Sequence, residues 1–267
     1  MSEATQVQQL FPGGDFSWAL RMRKADPLEF FAPQSPSGHL LRQKGAILNS
    51  HPERHVSQLE EGVTHLGKLH QALAAWGLEP GGHPQAESIA RHIEPDFILM
   101  DQASQKLTAA AVCFPSSWDP SHWGGHAIHE IHAVVPRLNP QIGEMIARFL
   151  HELKPGKAFQ RANWSFTRSA ELNYHPALQR PVLDDTSGLE EIHLRLEHQL
   201  FTAIEGAVLM GIRIQPIALS SLTGDAKLWA NLIRILDTMP ENVARYKSLH
   251  GGKNRLIERM RSELPAT

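Results

Sequence analysis

Residues 192–204 read IHLRLEHQLFTAI, and their alternation is the strongest constraint on the fold of this chain. Successive side chains of a strand point to opposite faces. Leu194, Leu196, His198 and Leu200 therefore share one face, and His193, Arg195, Glu197 and Gln199 share the other. Two strand-like segments flank this one, RANWSFT (161–167) and GAVLMGIRIQPIAL (206–219). Upstream, DFILMDQ (96–102) and KLTAAAVCF (106–114) are short apolar runs split by DQASQ, the pattern of a hairpin. Five strands with helices between the second and third predict an α+β fold with an antiparallel sheet. The same order, two strands, connecting helices, three strands, is that of a PAS domain. On pattern alone that plan is one option among several: a PAS-like five-stranded antiparallel sheet with connecting helices and added N- and C-terminal helices.

Helical patterns fill the remainder. Val56, Leu59, Val63, Leu66, Leu69, Leu73 and Trp76 recur at three- and four-residue steps. Gly and Pro in GLEPGGHPQAE (77–87) break that pattern, making this stretch the best linker candidate. Ile142, Met145, Ile146, Phe149, Leu150 and Leu153 form a stripe after Pro140. Two C-terminal helices are expected, one carrying Leu228, Leu232, Ile235 and Leu236, the other spanning about 241–262. The division expected is a partly helical N-terminal extension packed on the core (1–85), a PAS-like core (86–220) and C-terminal helices (221–267).

Composition excludes several classes. Lys and Arg number 26 against 28 Asp and Glu, so no net field favours nucleic acid or anionic lipid. No apolar run approaches the ~20 residues of a membrane span, and MSEATQVQQLFPGG lacks the blocks of a signal peptide. The expectation is a cytoplasmic protein with neither nucleic acid nor membrane as partner. Cys113, the single cysteine, permits no intramolecular disulfide and reads as a buried, inert thiol. No P-loop, dinucleotide-binding glycine pattern or Gly-x-Ser-x-Gly elbow occurs.

Histidine is abundant instead, 16 in 267 residues. Four of them, His122, His126, His129 and His132, crowd the stretch around GGHAIHEIHAVVPRL (124–138). Three readings stand. They populate a polar surface, or hold zinc with Glu130 and Glu144, or one neutral imidazole holds haem iron. The spacing is not HExxH, and a proximal histidine has no local signature of its own. His198 is either a hydrogen-bonded core residue or the lining of a cavity. Arg195 and Glu197 are either a solvent-exposed pair or, if their face covers a pocket, a polar constellation within it. Trp164 reads as core.

Seven segments, EPDFILM, LTAAAVCFPSSWDP, IHAVVP, RANWSF, LRLEHQL, IRIQPI and ARYKSL, follow in the order and spacing of one family. The chain resembles the haem-dependent oxidative N-demethylase alpha-subunit-like proteins over about residues 11–250. That resemblance implies a haem-binding PAS-like subunit of a monooxygenase. Haem b would activate oxygen to demethylate a small amine such as dimethylamine. Electrons would come from NADPH through reductase subunits carrying flavin and an iron–sulfur cluster. The family's IHxPVP falls on Ile131–Pro136, which implies His132 as the proximal ligand. Its NW falls on Asn163 and Trp164, its LRxERQ on Arg195, Glu197 and Gln199, and the arginine of its IRTY on Arg213. These imply Glu197 and Arg195 as catalytic, and Asn163, Trp164, His198, Gln199 and Arg213 as cofactor-binding. Glu197 would hold a cationic amine or relay a proton.

Departures from the pattern bear on chemistry. An arginine has become His198, a threonine Ile214 and a tyrosine Gln215. The motif's PGY is PRL at 136–138, the first proline of IHxPVP is Val134, and the lysine expected ahead of the glycine is missing from SHWGG. Losing a guanidinium and a phenol is expected to change the polarity of the oxygen side. Two alternatives follow: a non-enzymatic haem or small-ligand sensor, and a family member that has lost haem. Substrate, electron donor and oligomeric state are not legible in the sequence.

Overall fold

The computed structural model describes residues 3–35 and 37–264. One antiparallel sheet organises them. Its strands are β1 (Arg23–Lys24), β2 (Val56–Gln58), β3 (Asp96–Asp101), β4 (Leu107–Ala111), β5 (Ala158–Thr167), β6 (His193–Ile204) and β7 (Ala207–Ala218), in the spatial order β1-β5-β6-β7-β3-β4-β2. The fold is α+β, as expected. The sheet has seven strands rather than five. All five expected strands lie side by side in its middle, and two short N-terminal strands cap its edges.

Eleven helices are present among the described residues. They are α1 (Glu3–Leu10), α2 (Pro27–Phe31), α3 (His39–Ser50), α4 (Pro52–His55), α5 (Gly62–Ala75), α6 (Ala86–Ala90), α7 (Ile128–Ile131), α8 (Glu144–Glu152), α9 (Ala226–Thr238), α10 (Glu241–Tyr246) and α11 (Lys253–Ser262). None is long and apolar enough to cross a membrane.

Local chemistry explains the main elements. β6 and β7 are joined by Glu205–Gly206 alone. Gly206 has φ 80°, the backbone that the third position of a type II turn requires of glycine. β3 and β4 are apolar on both faces because both faces are covered. On one face Ile98, Met100, Phe201 and Ile212 pack under Ile142, Ile146 and Leu150. On the other, Phe97, Leu99, Leu200 and Leu209 pack against Leu66, Leu69 and Leu73 of α5. Near one end of β6 and β7, Leu194, Leu196 and Ile217 meet Trp229, Leu232 and Leu236 of α9. Asp225 caps α9 by accepting from the Leu228 N–H at 2.9 Å.

Two helical expectations differ from the structure. The pattern beginning at Val56 starts as a strand, because Val56, Ser57 and Gln58 pair with Ala111, Ala110 and Ala109; α5 begins only at Gly62. The sheet edge outweighs local periodicity there. The last expected helix is two, α10 and α11, broken at Lys247–Gly252. Gly251 and Gly252 lie against the backbone of Leu183 and Asp184, where an added Cβ would sit 3.1 Å and 2.9 Å from main-chain atoms.

One buried ion pair joins two elements. Lys44 (α3) lies 3.1 Å from Asp96 (β3), both fully buried, and Asp96 accepts from the Phe114 N–H at 2.7 Å. Cys113 beside them is buried, and desolvation pushes its thiol up to about 12.

Candidate functional site

Glu197, Gln199 and Phe201 of β6 look into a chamber between the sheet and the segment 118–150. The enclosed part is about 220 Å³ and mostly apolar, with Met100, Phe149, Phe201, Met210 and Ile212 among its walls. Cross-strand pairing brings the polar groups to one side: Arg161 stands opposite Gln199, and Asn163 opposite Glu197. These four side chains and His132 line the same space.

The covering segment is fastened at both ends. The Gly125 and Ile128 N–H groups donate to Leu107 and Gln105, and the Leu107 N–H donates to the His126 carbonyl, all at 2.8–3.0 Å. Asn139 Nδ2 donates to the His129 carbonyl at 2.8 Å, and the Trp18 indole N–H to the Pro136 carbonyl at 2.9 Å. Between these anchors α7 delivers His132 to the chamber wall. His122 and His129 are exposed, and His126 keeps 44 % of its side chain open beside Glu130. The four histidines therefore separate, and His132 alone lines the chamber. Arg137, just past it, has φ 64°. That left-handed backbone suits the glycine of the PGY pattern and costs an L side chain roughly 1 kcal/mol.

No hydrogen bond reaches the His132 ring from any described residue. Burial first, and the Arg161 charge second, push its pKa from the usual 6.5 down to about 4. It is a neutral imidazole at neutral pH. Burial also lowers the pKa values of His55 and His198. A histidine depressed in the folded state binds its proton more readily when unfolded. Its stabilising contribution is full above about pH 6.5 and is lost as pH falls toward 4. Unfolding free energy is expected to fall over that window in urea titrations at stepped pH, and His132→Gln should flatten the slope. An unchanged slope would refute a buried neutral imidazole.

Glu197 sits at a boundary. A second cavity of about 230 Å³ shares Ser116, Asn163, Glu197 and Tyr246 with the chamber, and continues past Ser165 and Lys247. Glu197 Oε1 accepts from Gln199 Nε2. Burial and the Glu197 charge raise the Tyr246 phenol above its usual value, although 46 % of the residue stays open. Lys247 donates to the Trp164 carbonyl at 2.6 Å, and its Nζ stands 4.7 Å and 5.4 Å from the Trp164 and Trp18 ring centres. Burial, more than the nearby Arg161 charge, lowers its pKa to about 8.

Arg195 is buried beneath this second cavity, and each guanidinium nitrogen is engaged. Nε donates to Ser116 Oγ, Nη1 to the Glu171 carbonyl, and Nη2 to the carbonyls of Phe114, Pro115 and Leu172, at 2.7–3.3 Å. Tyr174 lies against the same group, 5.0 Å to its ring centre.

His198 and Arg213 lie on the opposite face of the sheet. His198 Nε2 bonds Gln215 Oε1 at 2.9 Å in a separate cavity of about 550 Å³. Arg213 holds the Phe30 and Ala32 carbonyls and Glu94, at 2.7–3.0 Å. Trp164 packs edge-on against Phe11 and Phe166. The structure thus brings together His132, Asn163, Glu197 and Gln199, sets Arg195 and Trp164 beside them at the second cavity, and places His198 and Arg213 elsewhere.

Sequence reasoning passed over Arg161, Tyr246 and Lys247. Arg161 was within reach of the two-residue period, since it precedes Asn163 by two in RANWSF. Tyr246 and Lys247 arrive through tertiary packing, 83 residues from the Trp164 carbonyl that Lys247 bonds.

One comparison bears on this arrangement. The family model described as haem-dependent oxidative N-demethylase, alpha subunit-like, matches residues 49–257.

Proposed function

Because the chain belongs to the haem-dependent oxidative N-demethylase alpha-subunit-like family, we propose that it is a haem-binding, PAS-like subunit of an oxygen-activating monooxygenase acting on a small amine. One observation carries the reading: His132, a neutral imidazole with no hydrogen-bond partner among the described residues, lines an apolar chamber with a carboxylate across the sheet face. The donor set fits haem. An unprotonated histidine nitrogen suits the iron, apolar walls suit the macrocycle, and the unpaired Arg161 guanidinium suits an acidic group at its edge. The middle of the sheet, two strands, intervening helices, then three strands, supports the PAS-like reading.

In this reading His132 would hold the haem iron through a ring nitrogen, and the haem, when bound, would supply oxygen activation. The chain does the rest. The apolar walls exclude water. Glu197 binds the ammonium of the substrate or takes a proton at its free Oε2, while Gln199 fixes Oε1. Asn163, paired opposite Glu197, orients the polar end of the substrate. Arg195 positions the loops around Glu197. Electrons would reach the site from partner subunits carrying flavin and an iron–sulfur cluster.

Titration of the full chain with haemin tests this. A saturable Soret band at one equivalent is expected, shifting when carbon monoxide is added to the reduced protein. Absence of a saturable band overturns the reading. The enclosed volume, below the roughly 300–1,000 Å³ of pockets that take drug-sized ligands, favours a second one. A member that has lost haem would keep the chamber for a smaller ligand, and the same titration separates the two.

A further inference from the structure

Among the described residues, Arg161 is the one arginine with a buried guanidinium nitrogen that has no partner. Its Nε is shut off from solvent and has no partner, and no hydrogen bond or ion pair reaches its guanidinium from any described residue. Glu197 influences it electrostatically without forming an ion pair. Guanidinium does not deprotonate in proteins, so this charge cannot escape its desolvation by neutralising. Every other buried arginine of the region is engaged: Arg195 by carbonyls and a hydroxyl, Arg213 by carbonyls and Glu94. Arg161 alone lines the chamber with its fork free.

We propose that Arg161 is a carboxylate-binding seat, filled by a carboxylate that enters the chamber as part of a ligand. The planar fork matches a carboxylate with two parallel hydrogen bonds, and the apolar surroundings strengthen them. The carboxylate has two sources under the proposed function, on which this inference rests: a propionate of the porphyrin, or an acidic group on the amine. The second would make the substrate a zwitterionic N-methyl amino acid. Its ammonium would face Glu197, which lies diagonally across β5 and β6 from Arg161.

Binding by the full chain distinguishes these sources. Metal-free protoporphyrin IX and its dimethyl ester are titrated by tryptophan quenching, and N,N-dimethylglycine and dimethylamine by calorimetry, on wild type, Arg161→Gln and Arg161→Lys. The wild type is expected to prefer one carboxylate probe over its uncharged or carboxylate-free counterpart. Arg161→Gln should lose about tenfold or more of the affinity for that probe only, the scale of one charge-assisted pair. Arg161→Lys, which keeps charge but not the fork, should fall between. Loss with protoporphyrin alone assigns the propionate, and loss with dimethylglycine alone assigns the amine.

Equal wild-type affinity for acid and ester, together with no preference for dimethylglycine, overturns the seat whether or not the variants fold. Unchanged carboxylate binding in a folded Arg161→Gln does the same. A Soret band with either of those results sinks the inference and leaves the proposed function standing. No Soret band with an Arg161-dependent preference for dimethylglycine does the reverse.

Discussion

Replacing His132 by alanine is expected to abolish saturable haem binding while leaving the fold intact. The reason is positional. His122 and His129 face solvent, His126 is tied to the Glu130 side, and His198 lies on the far side of the sheet. No other histidine among the described residues lines the chamber. Loss of an outer-shell partner alone costs a metal site roughly 10–100-fold, so loss of the ligand itself should exceed the upper end of that range. Haemin titration measures it, circular dichroism checks the fold, and added imidazole should restore part of the band by filling the vacated space. Wild-type affinity in the alanine variant would end the axial assignment.

Replacing Arg195 by methionine is expected to cost about 3–5 kcal/mol of stability, the scale for breaking a buried, hydrogen-bonded charge network. Arg195 is 1 % exposed and binds two loops to β6, through Phe114, Pro115 and Ser116 on one side and Glu171 and Leu172 on the other. Methionine fills the stem volume but leaves four carbonyls without their donor. Glu197→Gln, two residues away on the same face, should change stability by far less, since its amide can still pair with Gln199. Urea midpoints of the two variants separate the fastening residue from the chemical one. A loss under about 1 kcal/mol for Arg195→Met would show that water replaces the guanidinium.

Alternation in IHLRLEHQLFTAI made the two faces of β6 legible, and with them the shared side of Arg195, Glu197 and Gln199. What alternation cannot supply is the cover. Polar residues on one face normally meet solvent; here the segment 118–150 and the loops held by Arg195 close over them. The strand character of Val56–Gln58 was hidden for a related reason, since a sheet edge supplied by β4 decides it. His132 stood out only through register with a family motif. Its desolvated, partnerless state is a property of the assembled chamber. Arg161 was readable by the two-residue period, but its missing partner was not.

The two faces of the sheet also divide what the chain can change. His198 and Gln215, both departures from the family pattern, touch each other at 2.9 Å on the face away from His132. An arginine and a tyrosine exchanged for a histidine and a glutamine therefore leave the chamber wall as it was, and the new pair satisfies itself. The departures that do line the chamber, Val134 and Leu138, lie on the covering segment rather than on the sheet. The side chains at 132, 134, 138, 161, 163, 197 and 199 are the ones to compare between relatives.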